Sequence, residues 1–374
     1  MSRLKNRNNI EYEKKQADAL IVIPVAALTI FGVLMVFSAS YYVSISDFGT
    51  PYHYLIRDLM WVGIGIIALI VGYLVPYQLW ARLGVFAYIL GFVLLVMVLT
   101  SFGSDAYGAT RWIKVGPVTI MPGEMAKAMM IAFITWFYSR YHKRAQDWKT
   151  GIIPLLVATG IYILLIMKQP NFSTAATLVL IVGGMMIVAG IKWIQVVILG
   201  AAGFGLGVVL MLTSEYRAQR FLSFLDPFED LLGAGWNAAQ SLYALSMGGL
   251  FGRGLGNSVE KNLYLPMPQN DFILSVIGEE LGFVGILALL AVYTILIWRG
   301  FIAAMNASDY TGMMLASGIT IMIGVQVIIN LAVVTSSMPP TGVVLPFISF
   351  GGNAEIIFMG EAGILLNISK QGKG

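Results

Sequence analysis

The 374-residue chain contains no cysteine and only two histidines, His53 and His142. A disulfide framework, a thiolate metal site and a cysteine nucleophile are therefore excluded. Two histidines so far apart in sequence also make a poor start for a histidine-rich metal centre. Charge is scarce: 11% of the residues are Asp, Glu, Lys or Arg, against about 25% in an ordinary soluble domain. With 58% hydrophobic residues and a mean hydropathy of +0.81, the chain has too little polar material to keep a surface wet. Its net charge of +4 is dispersed over short basic segments beside apolar runs, which points to membrane orientation rather than to nucleic acid.

Apolar runs suited to crossing a bilayer fall near 19–40, 59–75, 83–101, 121–139, 152–168, 173–190, 193–213, 271–298, 310–334 and 345–368. They predict an all-α polytopic membrane protein of about ten transmembrane helices. The first run ends in Ser38-Ala39-Ser40, which has the look of a signal-peptidase site. That run exceeds the roughly 7–15 apolar residues of a signal peptide, so it is read as an uncleaved anchor. With the N-terminus inside, fourteen Lys and Arg lie in inside segments and eight in outside loops, four of those eight in one long loop. Both termini are thus expected in the cytoplasm. The chain divides into a basic N-terminus over 1–18, one transmembrane domain over 19–369 and a short C-terminus over 370–374.

The inside connections are short and plain, whereas the outside connections 102–120, 169–172, 214–270 and 335–344 are chemically dense. The stretch 214–270, between the seventh and eighth spans, is far longer than an ordinary interhelical loop. Phe221, Phe224, Phe228, Trp236 and Tyr264 give it apolar material to bury, and 236–250 suits a re-entrant or interfacial helix. No ATP exists outside a cell, so a synthetic reaction on that side needs a substrate that arrives activated. Gly252-Arg253-Gly254-Leu255-Gly256 lacks the preceding strand and following Lys-Ser/Thr of a nucleotide loop. It reads as a tight turn that lets the backbone approach a lipid headgroup or a neighbouring helix.

Ionisable groups in spanning segments are costly and mark either pairing or function. Glu124 and Lys127 sit three apart and meet on one helix face, either as a neutralised packing pair or as the lining of a wet cavity. Asp271 opens the eighth run, where a carboxylate caps a helix favourably and where a general base would also stand. Glu279 and Glu280 fall about 12–14 Å further along at 1.5 Å per residue, and at least one of them must face protein. Glu355 and Glu361 are further acids with no assigned role. The outside cations Arg111, Lys114, Lys168, Arg217, Arg220, Arg253 and Lys261 are interface anchors if scattered. Gathered together they would suit a pyrophosphate, which arginine holds in a bidentate fork.

Several ordered motifs carry a family resemblance. They are Gly108-Ala-Thr-Arg-Trp-Ile113 with Pro122 and Glu124, Gln169-Pro-Asn-Phe-Ser-Thr174, and Phe224-Leu-Asp-Pro227 with Gln240-Ser-Leu242. Gly248 to Ser258 follows, with Lys261, Tyr264-Leu-Pro266 and Asp271-Phe-Ile, and then Pro340-Thr-Gly342 and Leu345 to Gly352. Together they resemble the SEDS (shape, elongation, division and sporulation) family across nearly the whole chain. The Gly-Asn-Ser…Lys…Tyr-Leu-Pro pattern and Phe37-Ser-Ala-Ser40 are closer to its FtsW and SpoVE branches than to RodA. The resemblance implies a peptidoglycan glycosyltransferase that polymerises lipid II into glycan strands beside a class B penicillin-binding protein. It also implies other division proteins as partners and residence in the cytoplasmic membrane, at the septum. Asp271 matches the essential family carboxylate, and Glu124 and Lys127 match paired charges lining the cavity. Arg111, Arg217, Arg220, Gln240, Arg253, Ser258 and Lys261 are the expected substrate contacts. The outside cations, or a divalent ion such as Mg2+ or Mn2+, would stabilise the departing pyrophosphate. A lipid II flippase and a non-catalytic division scaffold are the alternative readings. The chain departs from the family pattern at Met121-Pro-Gly-Glu-Met125, Met267, Asn270 and Gly351-Gly-Asn-Ala354, all around the expected site and all leaving Asp271 in place.

Overall fold

A computed structural model of the chain describes residues 17–106, 109–116, 118–212, 224–229, 231, 233 and 235–371. Each apolar run becomes helical. The helices are α1 (Ala19–Phe48), α2 (His53–Leu74), a short α3 (Tyr77–Arg82), α4 (Gly84–Val98), α5 (Pro122–Tyr141) and α6 (Ile153–Lys168). They continue with α7 (Phe172–Val188), α8 (Trp193–Leu212), α9 (Trp236–Gly248), α10 (Ile273–Met305), α11 (Tyr310–Val334) and α12 (Gly352–Ser369). Among the described residues, five segments are long and apolar enough to cross a membrane: α1, α2, Trp148–Lys168, α10 and α11. Gly84–Val98, Phe172–Val188 and Trp193–Val209 are shorter apolar helices. The result is a mostly helical polytopic membrane protein.

The fold departs from the all-α expectation in one place. Gly103–Ala106, Ala109–Val115 and Val118–Ile120 form a three-stranded antiparallel sheet, β1-β2-β3, with Ile113 opposite Ile120 and Ser104 opposite Trp112. The Thr-Arg-Trp-Ile-Lys-Val segment is rich in β-branched and aromatic residues. Left-handed Gly116 (φ 62°) turns it into the next strand. The last helix also starts later than the apolar run suggested, at Gly352. The Tyr293 hydroxyl donates to the Pro346 carbonyl and Phe347 is left-handed (φ 64°), so 345–351 turns rather than coils into helix.

Helix α11 is the centre of the bundle: 67% of its most apolar window is buried, against 17% for α2 at the lipid-facing edge. It packs on α5, α7 and α10, while α1 crosses α10. Helices α2 and α12 meet through small residues. A methyl group on Gly363 would lie 2.1 Å from the Leu69 carbonyl oxygen, so their backbones touch directly.

Candidate active site

Helix α10 is broken near its start, and the long loop mends the break. Gly282 has φ 69° and ψ −170°, which no helix accommodates. In an unbroken helix the amides of Phe283 and Val284 would reach the carbonyls of Glu279 and Glu280. Instead they donate to Gly249 (2.9 Å) and Leu250 (3.0 Å). The two stranded carbonyls accept from Arg253 and Gly254, at 2.9 Å each. The glycine turn thus supplies new partners for both of these broken helical bonds. It can do so only because a Cβ is missing: one on Gly252 would lie 2.2 Å from the Glu280 carbonyl oxygen. Of the two neighbours expected for this turn, the structure shows the helix.

The same break buries two carboxylates. Glu279 and Glu280 are both fully shielded, and each is given partners by the loop. Glu279 accepts from the Ser258 hydroxyl (2.5 Å) and the amides of Val259 (2.7 Å) and Glu260 (3.3 Å), with the Arg253 guanidinium 3.7 Å away. Glu280 accepts from Lys261 (2.7 Å) and from Ser38 of α1 (2.6 Å), and Lys261 also donates to Ser38 (2.9 Å). Paired charges of this kind offset much of the cost of leaving water, which an unpaired buried carboxylate would bear in full. Both glutamates face protein, where at least one was expected to. The structure therefore gathers Ser258, Lys261 and Arg253 around one end of α10. Ser258 and Lys261 are buried there as loop anchors, while the Arg253 side chain stays 42% exposed. Beside them Glu260 is also buried, and burial together with the neighbouring Glu279 charge pushes its carboxyl up to about 6.

Asp271 stands where the long loop meets α10. It lies in the turn before the helix rather than in its first turn, because α10 begins at Ile273 with Phe272 at its N-cap. It is half-buried. Its backbone carbonyl accepts from the Asn330 side chain of α11 (2.8 Å), and the same amide group donates to the Val343 carbonyl (2.9 Å). The Phe350 amide donates to Gln269 (2.9 Å), tying the approach to α12 to the same turn. Three non-glycine residues in these segments, Leu263 (φ 70°), Met267 (φ 49°) and Phe347 (φ 64°), are left-handed. Such backbone costs about 1–3 kcal/mol per residue and tends to gather at functional sites.

The remaining expected residues fall in three places. Lys127 bridges both oxygens of Glu124 (2.7 and 2.8 Å) with side chains 1% and 8% exposed, and Glu361 of α12 lies within electrostatic reach of the pair. Arg111 projects from β2 and donates to the Gln169 (3.4 Å) and Pro170 carbonyls, pinning the sheet to the α6–α7 connection. Gln240 is buried on α9, next to Ser241, whose hydroxyl donates to Val334 (2.7 Å) and pairs with Ser275 (2.8 Å). Arg217 and Arg220 lie outside the described residues. Ser38 stood out only within Phe37-Ser-Ala-Ser40, and Asn330 not at all, because their partners stand hundreds or tens of residues away. Asn353, a departure from the family pattern, donates to Thr119 (2.9 Å) and holds the sheet against α12. Among the described residues no three His, Cys, Asp or Glu side chains converge as a metal site.

The fold and site together define a helical membrane protein with a long-loop acid presented at the head of a broken helix. Residues 18–374 match the family model described as cell cycle protein, the FtsW/RodA/SpoVE family. The chain is 39% identical over 359 residues to stage V sporulation protein E of Bacillus subtilis, covering 96% of this chain and 98% of that protein. It is 37% identical over 353 residues to "Probable peptidoglycan glycosyltransferase FtsW" of Trichlorobacter lovleyi, covering 94% and 93%. Among solved structures it superposes with a TM-score of 0.77 and 25% identity on a chain of a peptidoglycan synthase complex that coordinates polymerization and crosslinking, covering 94% and 97%. Thermus thermophilus RodA gives a TM-score of 0.69 at 24% identity, covering 94% and 96%. The chain belongs to the SEDS family.

Proposed function

We propose that this chain is a peptidoglycan glycosyltransferase that polymerises lipid II at the outer face of the cytoplasmic membrane. The observation that carries the reading is Asp271, held half-buried at the junction of the long loop and α10 in a chain that matches FtsW and SpoVE relatives end to end. Ten spans in one domain, with both termini in the cytoplasm, put this junction on the side where substrates must arrive activated. Lipid II meets that need because it carries its own pyrophosphate leaving group.

Asp271 takes the proton of the acceptor sugar 4-hydroxyl as that oxygen attacks the anomeric carbon of the growing chain. The bond from that carbon to the pyrophosphate breaks, and the lipid pyrophosphate leaves with the electron pair. Attack opposite the leaving group inverts the α-linkage to a β-glycosidic bond. General-base help of this kind contributes about 10²–10⁴-fold. Of the two cations at this end of α10, Arg253 is the one left exposed to meet the departing phosphates, whereas Lys261 is spent on Glu280. The buried Glu124–Lys127 pair shapes the cavity wall and keeps it polar without net charge. The synthase-complex relative supports a class B penicillin-binding protein as the working partner, and the FtsW and SpoVE likeness supports action at a septum with other division proteins.

The test is synthesis of glycan strands from purified lipid II by the wild-type protein, alone and with its cognate transpeptidase. A ladder of polymer is expected with the partner present. No polymer under either condition would discard the enzyme reading in favour of a flippase or a scaffold.

A further inference from the structure

The opposite end of the bundle holds a cavity that this chemistry does not use. It has a volume of about 380 Å³ and is lined by Gln78, Ala81 and Arg82 of α3, Trp136, Ser139 and Arg140 of α5, and Asp309 and Thr311 at the start of α11. Thr311 and Asn330 lie near opposite ends of α11, roughly 30 Å apart at 1.5 Å per residue. The cavity is therefore remote from Asp271.

Its charges are unbalanced. Arg82 and Arg140 are exposed, and among the described residues neither pairs with a carboxylate. The acid at the wall is already engaged, since Asp309 accepts from the Gly312 amide (2.7 Å) as the cap of α11. The two guanidinium forks suit the oxygens of a phosphate. The size fits too, as small-molecule pockets run about 300–1,000 Å³. Next to the cavity, Leu79, Leu83 and Phe86 are 46%, 43% and 63% exposed, an apolar surface of the kind acyl chains cover.

We propose that this cavity binds the phosphate of an anionic phospholipid headgroup, with the acyl chains lying along α3 and α4. On the orientation proposed above, the lipid belongs to the cytoplasmic leaflet. The flanking apolar surface favours a lipid over a soluble phosphate compound, which would have no use for it. The bound headgroup would bridge α3, α5 and α11 at the end of the bundle away from the active site.

The test is the thermal midpoint of the purified full-length protein in neutral detergent, titrated with phosphatidylglycerol, phosphatidylcholine or inorganic phosphate. Phosphatidylglycerol should raise the midpoint saturably, and the other two should not. The variant Arg82→Gln/Arg140→Gln should need at least about tenfold more phosphatidylglycerol, since charge-assisted hydrogen bonds to the headgroup are lost. An equal response to phosphatidylcholine, or an unchanged double variant, would overturn the site. An equal response to inorganic phosphate would overturn the lipid as its occupant. Should the double variant fail to fold, wild-type protein labelled with a photoreactive phosphatidylglycerol decides. Label on the peptides containing 78–82 and 136–140 supports the site, and label only elsewhere overturns it.

Discussion

Arg253 and Glu279 meet twice: the Arg253 amide donates to the Glu279 backbone carbonyl at 2.9 Å, and its guanidinium stands 3.7 Å from the Glu279 carboxylate. The long loop is thereby stitched into a spanning helix through backbone and side chain together. Gly252 makes this possible, and its replacement is the most direct probe. Gly252→Ala adds a Cβ 2.2 Å from the Glu280 carbonyl oxygen at φ 77°, whereas Gly49→Ala adds one into open space at φ 69°. Left-handed backbone alone costs about 1–2 kcal/mol, which is all that Gly49→Ala should lose. Gly252→Ala should lose clearly more in thermal denaturation and should lower polymerisation. Equal losses would mean that the turn is not held against α10.

Lys261 is an anchor if its charge serves Glu280 and a substrate contact if it serves lipid II. Lys261→Met strands a buried carboxylate, which typically costs about 3–5 kcal/mol. Adding Glu280→Gln should recover most of that stability and, on the anchor reading, most of the activity. A stable but inactive double variant would return Lys261 to the substrate site.

Glu260 gives the loop a pH dependence with a definite sign. Its carboxyl titrates near 6 in the fold, above its ordinary value of 4.5, because of burial and the Glu279 charge. The folded state therefore binds more protons than the unfolded state between those values, and stability falls as pH rises through this window. Solvent screening in a loop reduces the effect to about 1 kcal/mol. Glu260→Gln should abolish the fall, seen as a flatter thermal midpoint between pH 4.5 and pH 7. An unchanged slope would contradict the assignment.

Asn330 holds the Asp271 backbone through its carbonyl and ties it to Val343. Asn330→Leu strands the Asp271 and Val343 carbonyls, at about 1–3 kcal/mol for each unsatisfied group. The turnover rate should drop about tenfold or more while half-saturation by lipid II stays nearly constant, because the base is displaced and binding is not. A rise in half-saturation at constant turnover would make Asn330 a binding residue instead.

The helices were legible because a spanning helix must satisfy its backbone internally, which forces long apolar runs. The Glu124–Lys127 pairing was legible for the complementary reason, that charges within such runs need a partner, whereas the role expected of Asp271 came from the family resemblance. The sheet at 103–120 was written in the β-branched residues of β2, yet its strands are only 4, 7 and 3 residues long and passed as loop. The break at Gly282 was not legible, since one glycine in a helical run is ordinarily tolerated. What makes it a break is Gly249–Gly254, some thirty residues upstream. Likewise the Ser38–Lys261–Glu280 cluster spans 242 positions, and no local pattern pairs residues at that distance.

The role of Asp271 as the base of a polymerase is tested most directly by one comparison. Wild type and Asp271→Ala are each given purified lipid II with the cognate transpeptidase, after both are shown to fold and to bind that partner. Polymer from the wild type, and a loss of about 10²-fold or more in the variant, is the predicted result. Polymer at similar rates from both proteins would contradict it.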